Sequence, residues 1–171
     1  MIAARRSERG AVAVLVALLS IVMFAMAAIA VDLSNTFVRK RDVQRQADFA
    51  ALAGGSELGN QTSGAVPAVV VDAVRDQLNG DSVVSNLPQD DEAGGATPVT
   101  SSDLTDTNLL NGEVRFANGG LQVLAPRVQV DFSFSPVVQG LLGTADVQNE
   151  TRVIADATVG VFSPGTGVMP V

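Results

Sequence analysis

The chain has 171 residues, a formal charge of −7, and no Cys, His, Trp or Tyr. Without thiol or imidazole it holds no disulfide, no Ser–His or Cys–His nucleophile pair and no His- or Cys-ligated zinc; Lys40 is its sole lysine, so the composition argues against an enzyme. Residues 1–45 carry seven basic side chains against three acidic ones, while residues 46–171 carry four against fifteen. An acidic body of that kind repels phosphate backbones and argues against nucleic acid as a partner.

Ala11 through Val31 is a run of 21 residues with no charge and one hydroxyl, Ser20. As a helix it is about 31 Å long, the thickness of a bilayer's hydrocarbon core. This predicts a single transmembrane helix over 11–31, preceded by a basic leader, 1–10, that contains Arg5, Arg6 and Arg9. Three fates are open to such a segment. It can remain as an uncleaved signal anchor, which suits its length. It can be cut at the small-x-small site Ala28-Ile29-Ala30, although a cleaved signal usually has a shorter apolar region. It can also be cut between Gly10 and Ala11, leaving the apolar helix as the new N-terminus. Arg39, Lys40, Arg41 and Arg45 follow the span, so the count of basic residues on its two sides is nearly balanced. Arg39 on a continued helix stands about 10 Å beyond Asp32, whereas the first arginines lie close to the apolar edge. The N-terminus is therefore expected in the cytoplasm and the acidic body outside the cell membrane. The basic groups on both sides read as collars for anionic lipid head groups, and Ala13, Ala17 and Ser20 form a small-residue face through which spans can oligomerise.

Residues 32–58 read as an extension of this helix. Ala47, Ala50, Ala51 and Gly54 fall at i, i+3, i+4 and i+7, a small face that suits close packing on another helix or on a sheet; alanine's helix propensity alone would also account for it. Residues 59–162 form the expected extracytoplasmic domain, of α+β class with a mainly antiparallel sheet. A short helix is expected from Pro67 to Asn79, with Val70, Val71, Val74 and Leu78 on its apolar face and Gly80 at its end. Val83-Val84 can start a short strand, and residues 88–108 read as an acidic surface loop. Val114 and Phe116, the turn residues Asn118-Gly119-Gly120, and Leu121 to Leu124 spell a hairpin. Val128, Val130, Phe132 and Phe134 alternate with polar residues as one half-buried strand. Val137 to Leu142 is an apolar crossover, and the odd positions from Val147 to Val161 form the inward face of a second strand whose Ala155 and Ala157 would let a helix lie close. A Gly/Pro-rich tail, 163–171, closes the chain.

Three stretches together resemble the TadE/TadG-like proteins of Tad/Flp pilus assembly: Arg9-Gly10-Ala11-Val12-Ala13-Val14-Leu15, the span's end Ala30-Val31-Asp32, and Arg41-Asp42-Val43-Gln44-Arg45-Gln46-Ala47-Asp48-Phe49-Ala50-Ala51-Leu52-Ala53-Gly54. A weaker echo lies in Pro136, Leu141-Leu142-Gly143 and the strand from Val147. Pilin-type precursors of this system carry Glu at the fifth position after the cleavage glycine, where this chain has Leu15; the larger TadG-like members carry a von Willebrand-type metal domain for which this chain is too short. The resemblance implies a membrane-anchored, minor-pilin-like accessory whose partners are the lipid bilayer and other membrane proteins of a pilus or secretion assembly, with no cofactor.

Two acidic constellations compete with that reading. Asp32-Leu33-Ser34-Asn35-Thr36 spells D-x-S-x-T, but on a helix leaving the membrane it reads as an interfacial polar cap and not as a metal site. Asp90-Asp91-Glu92, Asp103 and Asp106 could offer oxygens to calcium, although the calcium-loop spacing is missing and a solvated loop is the simpler reading. A calcium-dependent surface binding module, anchored by an uncleaved signal, is thus the alternative function.

Overall fold

The computed structural model describes residues 4–59, 61–80, 98–106, 108–143 and 150–160. Val83-Val84, the acidic triplet Asp90-Asp91-Glu92 and the tail 163–171 lie outside the described residues. The class is α+β; among the described residues a long N-terminal apolar helix is followed by two short helices and two small sheets. The chain divides into two compact units, one of residues 1–37 with 131–150, the other of residues 38–130 with 151–171.

Helix α1 (Ala4–Ser56) supplies residues to both units. No proline occurs before Pro67 and no glycine between Gly10 and Gly54, so nothing in the backbone interrupts it. Its stretch from Gly10 onward is long and apolar enough to cross a membrane.

In the second unit, α2 (Ala68–Gly80) starts directly after Pro67, whose carbonyl accepts from the amides of Val70 and Val71. The expected apolar face, Val70, Val71, Val74 and Leu78, is buried. Strands β1 (Glu113–Ala117) and β2 (Gly120–Leu124) form the expected hairpin, with Val114 opposite Val123. Its turn residues Asn118 and Gly119 both have positive φ, 54° and 78°, the pair of left-handed conformations that matches a two-residue loop to the strands' twist. Strand β3 (Val128–Asp131) pairs with β4 (Glu150–Val153), while β5 (Asp156–Val159) joins β2 in an antiparallel three-stranded sheet, β1-β2-β5.

Two apolar clusters hold this unit. The first joins Ala50, Ala51 and Leu58 to the α2 face, to Val99 and Leu104, and to Val114, Leu121 and Val123 of the sheet. The second joins Val43 and Ala47 to Ala125, Val128, Val130, Val153 and Ala155. Two strand readings change. The single strand expected from Val147 to Val161 is two strands in different sheets, although the inward parity of Val153, Ala155, Ala157 and Val159 persists across the break. The strand expected to run from Val128 to Phe134 ends at Asp131; Val128 and Val130 are core residues, but Phe132 is half-buried and Phe134 exposed. Within the stretch read as a surface loop, residues 98–106 are folded back by local hydrogen bonds and insert Val99 and Leu104 into the first cluster.

In the first unit, the segment expected as a crossover is a helix, α3 (Ser135–Leu142). It has Pro136 in its first turn, and Gly143 in a left-handed conformation (φ 67°) ends it by donating its amide to the Gln139 carbonyl at 2.9 Å.

Candidate functional site

Asp32 directly follows the apolar run of α1, yet it is 93 % shielded from solvent, with a relative exposure of 7 %. Its carboxylate accepts from three consecutive backbone amides at the start of α3. Ser133 donates to one oxygen at 2.9 Å, Ser135 to the other at 2.9 Å, and Phe134 to both at 3.2 and 3.1 Å. The negative charge thus sits where helix N-terminal donors and the helix dipole favour it. The remaining donors of the first turn are also satisfied: Pro136 has no N–H, and the amides of Val137 and Val138 donate to the Phe134 carbonyl. The two polar side chains of α3 meet each other, Gln139 Nε2 donating to Ser135 Oγ at 3.3 Å.

The same unit holds an apolar cavity of about 360 Å³. Ile21, Phe24 and Val31 line it from α1 together with three alanines, and Phe134, Val137 and Val138 line it from α3. Among the described residues, no polar side chain contributes to its wall. The D-x-S-x-T stretch is not gathered around a point: Thr36 Oγ1 donates back to the Asp32 carbonyl at 3.0 Å, Ser34 is exposed, and the Asp32 carboxylate is engaged with α3.

The small-residue face of α1 is used inside the second unit. Ala47, Ala50, Ala51 and Gly54 are all buried, the first in the second cluster and the next two in the first. A Cβ built on Gly54 would stand 2.7 Å from Val74 Cγ2 of α2 and 2.8 Å from Leu121 Cδ2 of β2, so helix and sheet both approach that position too closely for any side chain. Polar neighbours flank the face: Gln44 Nε2 donates to the Asp156 carbonyl at 2.9 Å, and the buried Gln46 donates to the Gln77 carbonyl at 3.4 Å.

Of the basic residues after the span, Lys40, Arg41 and Arg45 are exposed and Arg39 is half-buried; Arg45 lies 4.0 Å from Asp42. Arg5, Arg6, Arg9 and Gly10 all fall within α1, and Gly10 and Ala11 are exposed. Asp103 accepts from the amide and hydroxyl of Thr100, and Asp106 from the amide of Asn108, so both cap local turns. Arg75 bridges Asp72, Asp76 and Ser101, and its hydrogen bond to Asp76 pushes its already high pKa further up.

Residues 10–57 match a family model described as "Putative Flp pilus-assembly TadE/G-like". This is the family that the sequence resembles. The match takes in the apolar run, Asp32 and the whole small-residue face, under a third of the chain. It supports a role related to Flp pilus assembly. No curated protein and no solved structure matches the chain. Sequence reasoning missed Asp32 as a contact and α3 as a helix. Pro136 at a helix start and Gly143 at a helix stop were the available signals for α3.

Proposed function

We propose that the protein is a single-pass, membrane-anchored structural component of a Flp-type pilus assembly, minor-pilin-like and without catalytic activity. The observation that carries this is the family match over residues 10–57, which coincides with the one helix among the described residues that is long and apolar enough to cross a membrane. Arg5, Arg6 and Arg9 close to the start of the apolar run, against basic residues that begin only at Arg39 after it, favour the N-terminus inside and the body outside, and the basic residues flanking the run favour head-group contacts. Leu15, where a filament subunit's acid would stand, favours an accessory place over bulk incorporation into the filament.

The small-residue face cannot serve an external partner, because α2 and the sheet of the same chain already fill it. Partner contacts then fall to surfaces that remain open: the exposed apolar residues of the run, the small positions Ala13 and Ala17, and Phe49 and Leu52 on the far side of α1.

The test is made in the native host. The protein should stay with membranes through carbonate extraction, and mild solubilisation should recover other membrane proteins of the assembly with it. Deleting the gene should abolish or shorten pili while leaving the major subunit expressed. Release by carbonate would refute the anchor, and unchanged piliation would refute the assembly role. N-terminal sequencing distinguishes a retained leader from a start at Ala11 or Val31.

A further inference from the structure

If α1 is the membrane anchor, the depth of α3 follows from what it touches. Phe134, Val137 and Val138 line the same cavity as Ile21, Phe24 and Val31, and those three α1 residues belong to the uncharged run that the bilayer must cover. At eight residues α3 is about 12 Å long, too short to span. A short helix can still sit beside a span inside a leaflet if its backbone polar groups are satisfied without water, and the first-turn amides, which have no carbonyl partner within the helix, are the critical donors. Those donors are satisfied here: Asp32 takes three, Pro136 lacks one, and Phe134 takes two. Its Ser135 and Gln139 side chains are paired. Its outer residues are nonetheless apolar and open, with Val137 67 % exposed and Phe134 44 % exposed, continuous with the exposed apolar surface of α1. That combination of satisfied donors and open apolar side chains suits hydrocarbon better than water.

We propose that α3 is a second membrane-contacting element, seated in the leaflet nearest Asp32, with lipid acyl chains covering Phe134 and Val137 and filling the cavity against α1. Asp32 is its tether. A carboxylate at the edge of hydrocarbon is costly when bare, and three amides at a helix N-terminus take the place of its water while fixing where α3 re-enters. The proposal rests on the anchored reading above.

The chain has no cysteine, so each introduced thiol is unique. The full chain is reconstituted in phosphatidylcholine vesicles as Val137→Cys, Phe24→Cys and Thr158→Cys, each labelled with an environment-sensitive fluorophore. Quenching is compared between nitroxides on acyl chains and a water-soluble quencher. The label at 137 should follow that at 24, with strong acyl-chain quenching and protection from the aqueous quencher, while the label at 158 does the reverse. Asp32→Ala in the Val137→Cys background should lower acyl-chain quenching at least twofold, with Asp32→Asn in between. If 24 reports lipid and 137 reports water, α3 is not in the leaflet and the proposal falls while the anchor stands. If 24 itself reports water, the anchored reading falls first. Protection of 137 from both quenchers means that protein covers α3, which overturns the lipid assignment. Undiminished quenching in Asp32→Ala overturns the tether.

Discussion

Gly54 offers the sharpest test of how α1 packs in the second unit. In an exposed helix interior, Gly→Ala stabilises by about 1 kcal/mol. At Gly54 the new methyl would meet Val74 Cγ2 at 2.7 Å, Leu121 Cδ2 at 2.8 Å and Val70 Cγ1 at 3.3 Å. Carbon–carbon contacts settle near 3.5–4.0 Å, so the two nearest methyls must each retreat by about 0.7–0.8 Å. Val74 and Leu121 are fully buried, and in a close-packed interior their retreat must displace further neighbours. Overpacking of that kind costs about 1–3 kcal/mol, which cancels or exceeds the helix gain. Gly80 is the internal control: it closes α2, and a Cβ there meets nothing within 4 Å. Gly54→Ala should therefore be less stable than Gly80→Ala by about 1–3 kcal/mol, and Gly54→Leu should lose more than about 3 kcal/mol. Urea unfolding of a fragment covering residues 38–171 measures this. Far-UV circular dichroism is the signal, because the chain has no Trp or Tyr. Adding Val74→Ala to Gly54→Ala removes the nearest methyls and should recover part of the loss, a non-additivity expected of side chains in contact. Equal stability of Gly54→Ala and Gly80→Ala, with no coupling to Val74, would refute the close approach of helix, α2 and sheet.

Other substitutions in the same fragment separate core from surface. Leu121→Ala, at a fully buried site, should cost about 2–5 kcal/mol in urea unfolding, whereas Leu109→Ala at a site 46 % exposed should stay within about 0.5 kcal/mol. Gly119→Ala forces a side chain into φ 78° and should destabilise the β1–β2 hairpin by about 1 kcal/mol or more, seen as faster exchange of the strand amides. Millimolar calcium should leave the thermal midpoint unchanged, since the Asp103 and Asp106 carboxylates already cap turns. A clear upward shift would revive the calcium-binding module.

The parts of the fold legible in the sequence are those whose signal is local. The α2 face, the Asn118-Gly119 turn and the inward parity of Val153 to Val159 each follow from a period or a dihedral preference that neighbours along the chain determine. The end of β3 was not legible. Phe132 and Phe134 continue the alternation of Val128 and Val130, and apolar residues at an exposed position look the same in sequence as apolar residues in a core. Just past the strand's end the amide of Ser133 goes to a carboxylate 101 residues away. Asp32 was legible only as a polar residue at the edge of an apolar run, because its partners are backbone amides and leave no mark in the identity of residues 133–135. The break between β4 and β5 was hidden for a similar reason: parity persists through Ile154-Ala155, while the partner strand changes from β3 to β2.

The matched segment carries two kinds of surface on one helix, and this separates what its residues are for. From Ala11 to Val31 apolar side chains point all round and are largely exposed, as a lipid-facing helix requires. From Val43 onward only one face is buried: Val43, Ala47, Ala50, Ala51 and Gly54, with Gln46 among them. Gln46 donates to the end of α2 and Gln44 to the β5 carbonyl of Asp156, so both glutamines are directed at the chain's own domain, while the motif's Asp48 is exposed. Q-x-x-A-D-x-A-A-L-A-G therefore encodes the attachment of a folded domain to its helix, and a large residue in it should disturb folding before it disturbs assembly. Under the proposed function, contacts with other membrane proteins fall to side chains that the domain leaves outside, Phe49 and Leu52 among them, which interrupt the alanines within the same motif and are 54 % and 60 % exposed. Substituting those two with Ser should leave the urea midpoint of the 38–171 fragment within about 0.5 kcal/mol, yet reduce co-purification of partner membrane proteins. Loss of stability with partner recovery intact would reverse the assignment of the two faces.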